Sequence, residues 1–173
     1  REASLVDLSR PYSPARLNAD PAAPVVVCVL KNEAALLPDF FDHYRLLGIE
    51  RFVMIDNGST DGTEEYCAAQ PDVDLHRVHR TFSWPEKQGW VSRAIAENGL
   101  NRWYIYADAD ERMVFDGAPE RSFPDLAAWA LRNNIRRVRG MLIDMYSNGP
   151  ILDYDWPAGS ELKDAFPLFD SDG

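Results

Sequence analysis

Three acids fall within four positions at Asp108-Ala109-Asp110-Glu111, directly after the apolar run Tyr104-Ile105-Tyr106-Ala107. A short run of aromatic and aliphatic residues of that kind predicts a buried strand. Asp108 and Asp110 would then lie where the backbone leaves a sheet, with only the methyl of Ala109 between them. Two carboxylates so close raise each other's pKa unless positive charge stands between them. A divalent cation answers that need: Mg²⁺ or Mn²⁺ takes hard oxygen ligands, with water or phosphate oxygens filling the other positions. The competing reading of an isolated Asp-x-Asp is a solvated acidic turn, and what shifts the balance lies upstream.

Two further polar clusters follow predicted strands. Val25–Leu30 is a continuous, Val-rich run suited to a strand covered on both faces, and Lys31-Asn32-Glu33 stands at its end. Arg51–Ile55 reads as a second strand and runs into Asp56-Asn57-Gly58-Ser59-Thr60-Asp61-Gly62-Thr63. Between them Leu36, Leu37, Phe40, Phe41, Tyr44 and Leu47 recur at helical spacing as far as Gly48, a natural stop. Strands joined by helical crossovers run parallel, so all three clusters should share one sheet edge. Open α/β sheets bind ligands at that carboxyl edge. There Asp56 can accept a hydrogen bond from the imide of a uracil-like base or from a ribose hydroxyl, and the Gly58-Ser59 step lets the backbone approach a flat ligand. The same residues also suit a plain turn and helix cap. An EF-hand calcium loop does not fit, because Gly58 occupies its third, ligating position.

The remaining elements fill in around these. Asp61 is placed to cap a short helix, with Glu64 reaching back, that runs to about Ala69 before Pro71. Val73–Val78 is a third, weaker strand; Thr81–Lys87 reads as a loop carrying Trp84 and Pro85; a helix beginning near Gln88 presents Trp90, Val91, Ala94 and Ile95 on one face. Ser122-Phe123-Pro124-Asp125 starts another helix, with Leu126, Trp129 and Ala130 on one side. Val138–Asp144 reads as a fifth strand and Ile151–Trp156 as a sixth, after the turn Ser147-Asn148-Gly149-Pro150.

The chain has 173 residues, 46% of them hydrophobic, enough for one domain with a substantial core. Residues 25–173 read as that domain, and residues 1–24, with four of the twelve prolines and no periodicity, as an arm or linker. A net charge of −10 argues against a nucleic-acid surface, while a nucleotide held through a metal stays compatible. Cys28 and Cys67 read as reduced packing residues, which points to a cytoplasmic setting, peripheral to a membrane at most. No run approaches the ~20 apolar residues of a membrane span, and no signal-peptide pattern stands out.

Taken in order, Lys31-Asn32-Glu33, Asp56-Asn57-Gly58-Ser59-Thr60-Asp61-Gly62-Thr63 and Asp108-Ala109-Asp110-Glu111 resemble the motifs of family-two-like glycosyltransferases of the GT-A fold. The similarity covers Val25 to Val114, roughly half the chain. It implies a single Rossmann-like α/β domain with a mostly parallel central sheet flanked by helices. It further implies transfer of a sugar from a nucleotide-diphosphate donor, a UDP-sugar by expectation, to a hydroxyl of a saccharide, lipid or protein acceptor, with inversion. Asn32, Glu33 and Asp56 would bind the nucleoside, joined by Lys31, Gly58 and Ser59 from the same clusters. Asp108 would engage the ribose, and Asp108 and Asp110 would hold the diphosphate through Mn²⁺ or Mg²⁺. Lys87 and Arg93 match a segment that contacts diphosphate, or are ordinary solvated cations.

Two departures stand out. Related enzymes often add a late His to the metal, but His43, His76 and His79 all precede the acidic motif and read as surface or packing residues. An inverting enzyme also needs a carboxylate to deprotonate the acceptor; Asp153, Asp155 and Glu161 are available, and Asp155 is taken for its neighbour Trp156, on which a sugar could stack. The missing pieces could lie beyond Gly173. Three rivals remain: a sugar nucleotidyltransferase, disfavoured because Val25–Glu33 lacks a glycine-rich phosphate loop; a non-catalytic nucleotide- or carbohydrate-binding domain; and a structural interaction domain with no ligand.

Overall fold

The Val-rich run forms β1 (Val25–Leu30), every residue of it buried, at the interior of a sheet in a computed structural model that describes residues 20–147 and 161–169. Around it stand β2 (Phe52–Asp56), β3 (Val73–Arg77) and β4 (Tyr104–Tyr106), in the order β3-β2-β1-β4 and all parallel. The register pairs Leu30 with Asp56 and Val27 with Tyr106, and the ladder runs on through Ala107 N–H to Val27 O. The ends of β1, β2 and β4 therefore open on one rim. The chain steps outward through β2 and β3, then returns to the other side of β1, so strand order reverses between β1 and β4. That reversal leaves a crevice.

Alternate residues of the strands feed two cores. Val26, Cys28, Leu30, Phe52 and Met54 pack with Leu37, Phe40, Phe41 and Tyr44 of α1 (Leu37–Leu46), Cys67 of α2 (Thr63–Ala69) and Phe123 of α4 (Phe123–Arg132). On the opposite face Val25, Val27, Val29, Val53 and Ile55 pack with Trp90 and Ala94 of α3 (Trp84–Asn98). This is the expected α/β layering. Both cysteines are free and buried, and burial pushes the Cys67 thiol up to about 12, so neither is a ready nucleophile. Gly48 ends α1 at φ +84°, and a Cβ there would come within 3.1 Å of the Ser122 side chain. That close approach seats the start of α4 against the end of α1, where Phe123 N–H donates to Leu47 O at 2.8 Å.

Four expectations need correction. The helix read as starting near Gln88 begins at Trp84, because Ser83 caps it through Glu86 N–H and Pro85 occupies its first turn. Val138–Asp144 forms no strand; instead β5 (Met145–Tyr146) pairs antiparallel with β6 (Leu168–Phe169), which follows α5 (Leu162–Ala165). Asp61 does not share a capping box with Glu64, since α2 starts after Gly62 in a left-handed conformation and Glu64 pairs with Arg77. On α4 the buried face is Phe123, Ala127 and Ala130, and Trp129 turns outward. The sixth strand expected at 151–156 lies outside the described residues, as does residues 1–19 of the arm. No helix among the described residues is long and apolar enough to cross a membrane.

Candidate functional site

The loop after β1 and the loop after β2 are stitched together by side chains. Asn32 N–H donates to Ser59 Oγ at 2.8 Å, Glu33 N–H to Thr63 Oγ1 at 2.8 Å, and Ala34 N–H to Asp61 Oδ2 at 3.1 Å. In return, Thr60 N–H donates to Asn32 Oδ1 at 2.8 Å, with Asn32 itself at φ +58°. Asp56, fully buried at the end of β2, turns its carboxylate back into its own loop. It accepts from Gly58 N–H at 3.0 Å, from Ser59 N–H at 3.1 Å and from the Ser59 hydroxyl. Gly58 can complete this turn because its φ is +75°. Asn57 ties the same loop to the segment after β3, its Nδ2 donating to Val78 O at 3.0 Å and to Arg80 O at 2.9 Å.

The loop after β4 is organised by charge. Glu111 folds back to accept from Asp108 N–H at 2.8 Å, and Arg112 anchors the turn to α1 through Asp39 and the Ala109 carbonyl. Lys87, carried by the first turns of α3, places Nζ 2.9 Å from both carboxylate oxygens of Asp108. Tyr106 adds its hydroxyl to Asp108 Oδ1 at 2.8 Å. Burial, followed by the hydrogen bond to Asp108, pushes that phenol up to about 12 against the opposing effect of Lys87, so it stays a donor. Burial alone would lower the Lys87 pKa, but its bonds to Tyr106 and Asp108 outweigh this and raise it.

Between the two loops lies a pocket of about 320 Å³, lined among others by Lys31, Glu33, Asn57, Phe82, Lys87, Asp108 and Asp110. Its size suits a small ligand. Burial, with the charges of Asp110, Asp61 and Asp108, lifts Glu33 to about 6. Crowded carboxylates of this kind are relieved by a bound cation. Among the described residues no group of three or more His, Cys, Asp or Glu is gathered to hold a metal. Two carboxylates of Asp108 and Asp110 nonetheless fit a hard ion that takes its other ligands from water and phosphate.

The sequence-predicted residues therefore divide. Lys31, Glu33, Lys87, Asp108 and Asp110 line the pocket, whereas Asn32, Asp56, Gly58 and Ser59 build the loops behind it. Arg93 is not among the lining residues and pairs with Glu97 at 2.6 Å one helical turn along. Asp155 lies outside the described residues, and Glu161 pairs with Lys163 at 2.5 Å. His43 bonds Met113 O through Nε2 at 2.9 Å, a packing role. Sequence reasoning missed Asn57 and Phe82 as lining residues, and Trp84 and Tyr106 as ring neighbours of Lys87. The signal for Tyr106 was available, since i and i+2 on a strand share a face and Tyr106 precedes Asp108 by two.

Three curated relatives match part of the chain. A glycosyltransferase family 92 protein of Oryza sativa subsp. japonica is 28% identical over 96 residues, 53% of this chain and 16% of that protein. One of the same name from Ricinus communis is 24% identical over 50% of this chain and 16% of its own length. A third, from Arabidopsis thaliana, is 25% identical over 72% of this chain and 23% of its own length. The chain thus spans less than a quarter of the curated relatives it matches. No family model matches the chain. All three relatives carry the name of a glycosyltransferase family.

Proposed function

We propose that this chain carries the donor site of a metal-assisted glycosyltransferase of the GT-A, family-two-like kind, which takes a nucleotide-diphosphate sugar, UDP-linked, and passes the sugar with inversion to an acceptor hydroxyl. The observation that carries the reading is the pocket at the β1/β4 reversal, where Glu33, Asp108 and Asp110 face Lys87 and Lys31. A pocket so acidic repels a bare diphosphate. It accepts one that arrives with a divalent ion, which would supply positive charge against the leaving diphosphate. Asp108 and Asp110 are the residues to hold Mn²⁺ or Mg²⁺, and Lys87 is the cation to meet phosphate oxygen.

On this reading the nucleoside lies over the β1–β2 side, against Lys31, Glu33 and Asn57, with Phe82 as an aromatic wall. Asn32, Asp56, Gly58 and Ser59 hold that side in shape rather than touch the ligand. A carboxylate that deprotonates the acceptor must stand across the sugar from the leaving group. Asp155 keeps that proposed role.

The test is a melting-temperature screen of nucleoside diphosphates with and without Mn²⁺. UDP with Mn²⁺ is expected to raise the midpoint, and Asp108→Ala and Asp110→Ala to lose the metal-dependent part. No shift with any diphosphate would overturn the reading, and binding without transfer or hydrolysis would turn it toward a binding module.

A further inference from the structure

Asp108 already has a cation. Lys87 Nζ is 2.9 Å from each of its oxygens, on a side chain only 9% exposed. The ammonium lies 5.1 Å from the Trp84 ring centroid and 5.5 Å from that of Tyr106. Both rings lie within the roughly 6 Å at which an aromatic face attracts a cation. The main chain beneath is fixed, because Lys87 N–H donates to Ser83 O at 2.9 Å in the capped first turn of the 15-residue α3. Only the flexible four-carbon stem is free to move. A divalent ion approaching Asp108 therefore meets a carboxylate whose charge is neutralised and an ammonium that repels it at short range.

We infer that Lys87 and the metal alternate at Asp108. In the empty site the ammonium stands in for the metal; when a nucleoside diphosphate arrives with its cation, the carboxylate passes to the metal and the ammonium passes to phosphate oxygen. Asp108 and Lys87 each keep a partner of opposite charge in both states. The consequence is an order of binding: metal alone binds poorly, and metal together with diphosphate binds well. This rests on the donor-site reading above and adds a role for Lys87 that the reading does not require.

Titration of Mn²⁺ alone, with free ion read by electron paramagnetic resonance, compares wild type, Lys87→Met and Lys87→Arg. Lys87→Met is expected to bind Mn²⁺ about tenfold more tightly than wild type, since the competing charge is gone. Lys87→Arg, which keeps a cation there, is expected to stay weak. With Mn²⁺ saturating, Lys87→Met is expected to bind UDP about tenfold more weakly. A second measurement needs no variant: in wild-type protein the Lys87 side-chain ¹⁵N resonance should hold on adding Mg²⁺ alone and move on adding Mg²⁺ with UDP. Unchanged or weaker Mn²⁺ binding by Lys87→Met, or a resonance that moves equally with Mg²⁺ alone, overturns the exchange while UDP·Mn²⁺ binding by wild type leaves the donor site standing. Absence of UDP binding under all conditions overturns both.

Discussion

On the β1–β2 side of the rim, backbone N–H groups of one loop find side-chain oxygens of the other, and the acids there, Asp56 and Asp61, spend their oxygens on the protein itself. On the β4 side Asp108 and Asp110 face a pocket, and Asp110 stands exposed with no ion pair among the described residues. Both loops are Asp-rich and both follow parallel strands, so they look alike in composition. They differ in where the carboxylate charge goes. The first is satisfied at home and makes a wall; in the second, Lys87 and Tyr106 hold Asp108, and Asp110 is left with charge to share with something that enters. Substitutions on the two sides should therefore fail differently, the wall in stability and the β4 loop in binding.

The largest effect expected is on the β4 side. Asp110→Ala should weaken Mn²⁺-dependent UDP binding roughly 100-fold, about 3 kcal/mol at 1.4 kcal/mol per decade, while leaving the ligand-free melting point unchanged or higher. Calorimetric titration and a thermal melt together check it. A variant that melted early and still bound would reverse the contrast.

Next comes the wall. Asp56→Ala strands the Gly58 and Ser59 N–H groups and the Ser59 hydroxyl beside a buried site, and should cost about 2 kcal/mol in urea denaturation. If it instead left stability alone and abolished binding, Asp56 would be a ligand contact and not part of the wall.

The smallest effect separates the sides by sign. Glu33 has its N–H stitched into the wall but turns its carboxylate to the pocket, where it titrates near 6 in the folded chain against 4.5 for an ordinary glutamate. Across that window the folded chain binds more protons than the unfolded one, so stability falls as pH rises through it. Glu33→Gln should raise the metal-free melting point by about 2 °C at neutral pH, and the gain should vanish well below the ordinary value. Mn²⁺ with UDP should shrink the gain too. A melting point lowered by the substitution at neutral pH would place Glu33 with the wall.

Much of this arrangement is legible in the sequence. Runs of Val and aromatic residues followed by polar clusters, joined by helical periodicity, require parallel strands with a shared edge, and Lys31, Glu33, Asp108 and Asp110 do meet there. What was not legible depends on which partner an element finds. Val138–Asp144 has strand-like aliphatics, but Arg136, Arg137 and Arg139 crowd its start and no sheet edge takes it, and strand formation is decided by such non-local pairing. The early start of α3 was within reach: Ser83-Trp84-Pro85-Glu86 repeats the pattern of Ser122-Phe123-Pro124-Asp125, cap, aromatic, proline, acid. Reading it as a loop hid the reason that Lys87 meets Asp108. A strand-end Asp such as Asp56 can serve as ligand contact or as loop anchor, and its burial and its partners, which bear on that choice, are not written in the sequence.

The most direct measurement is isothermal titration of UDP into the protein with Mn²⁺ present and again with the metal chelated. Binding that appears with Mn²⁺ and collapses without it is the expected result. Equal affinity in both, or none in either, would contradict a metal-bridged diphosphate between the β1 and β4 loops.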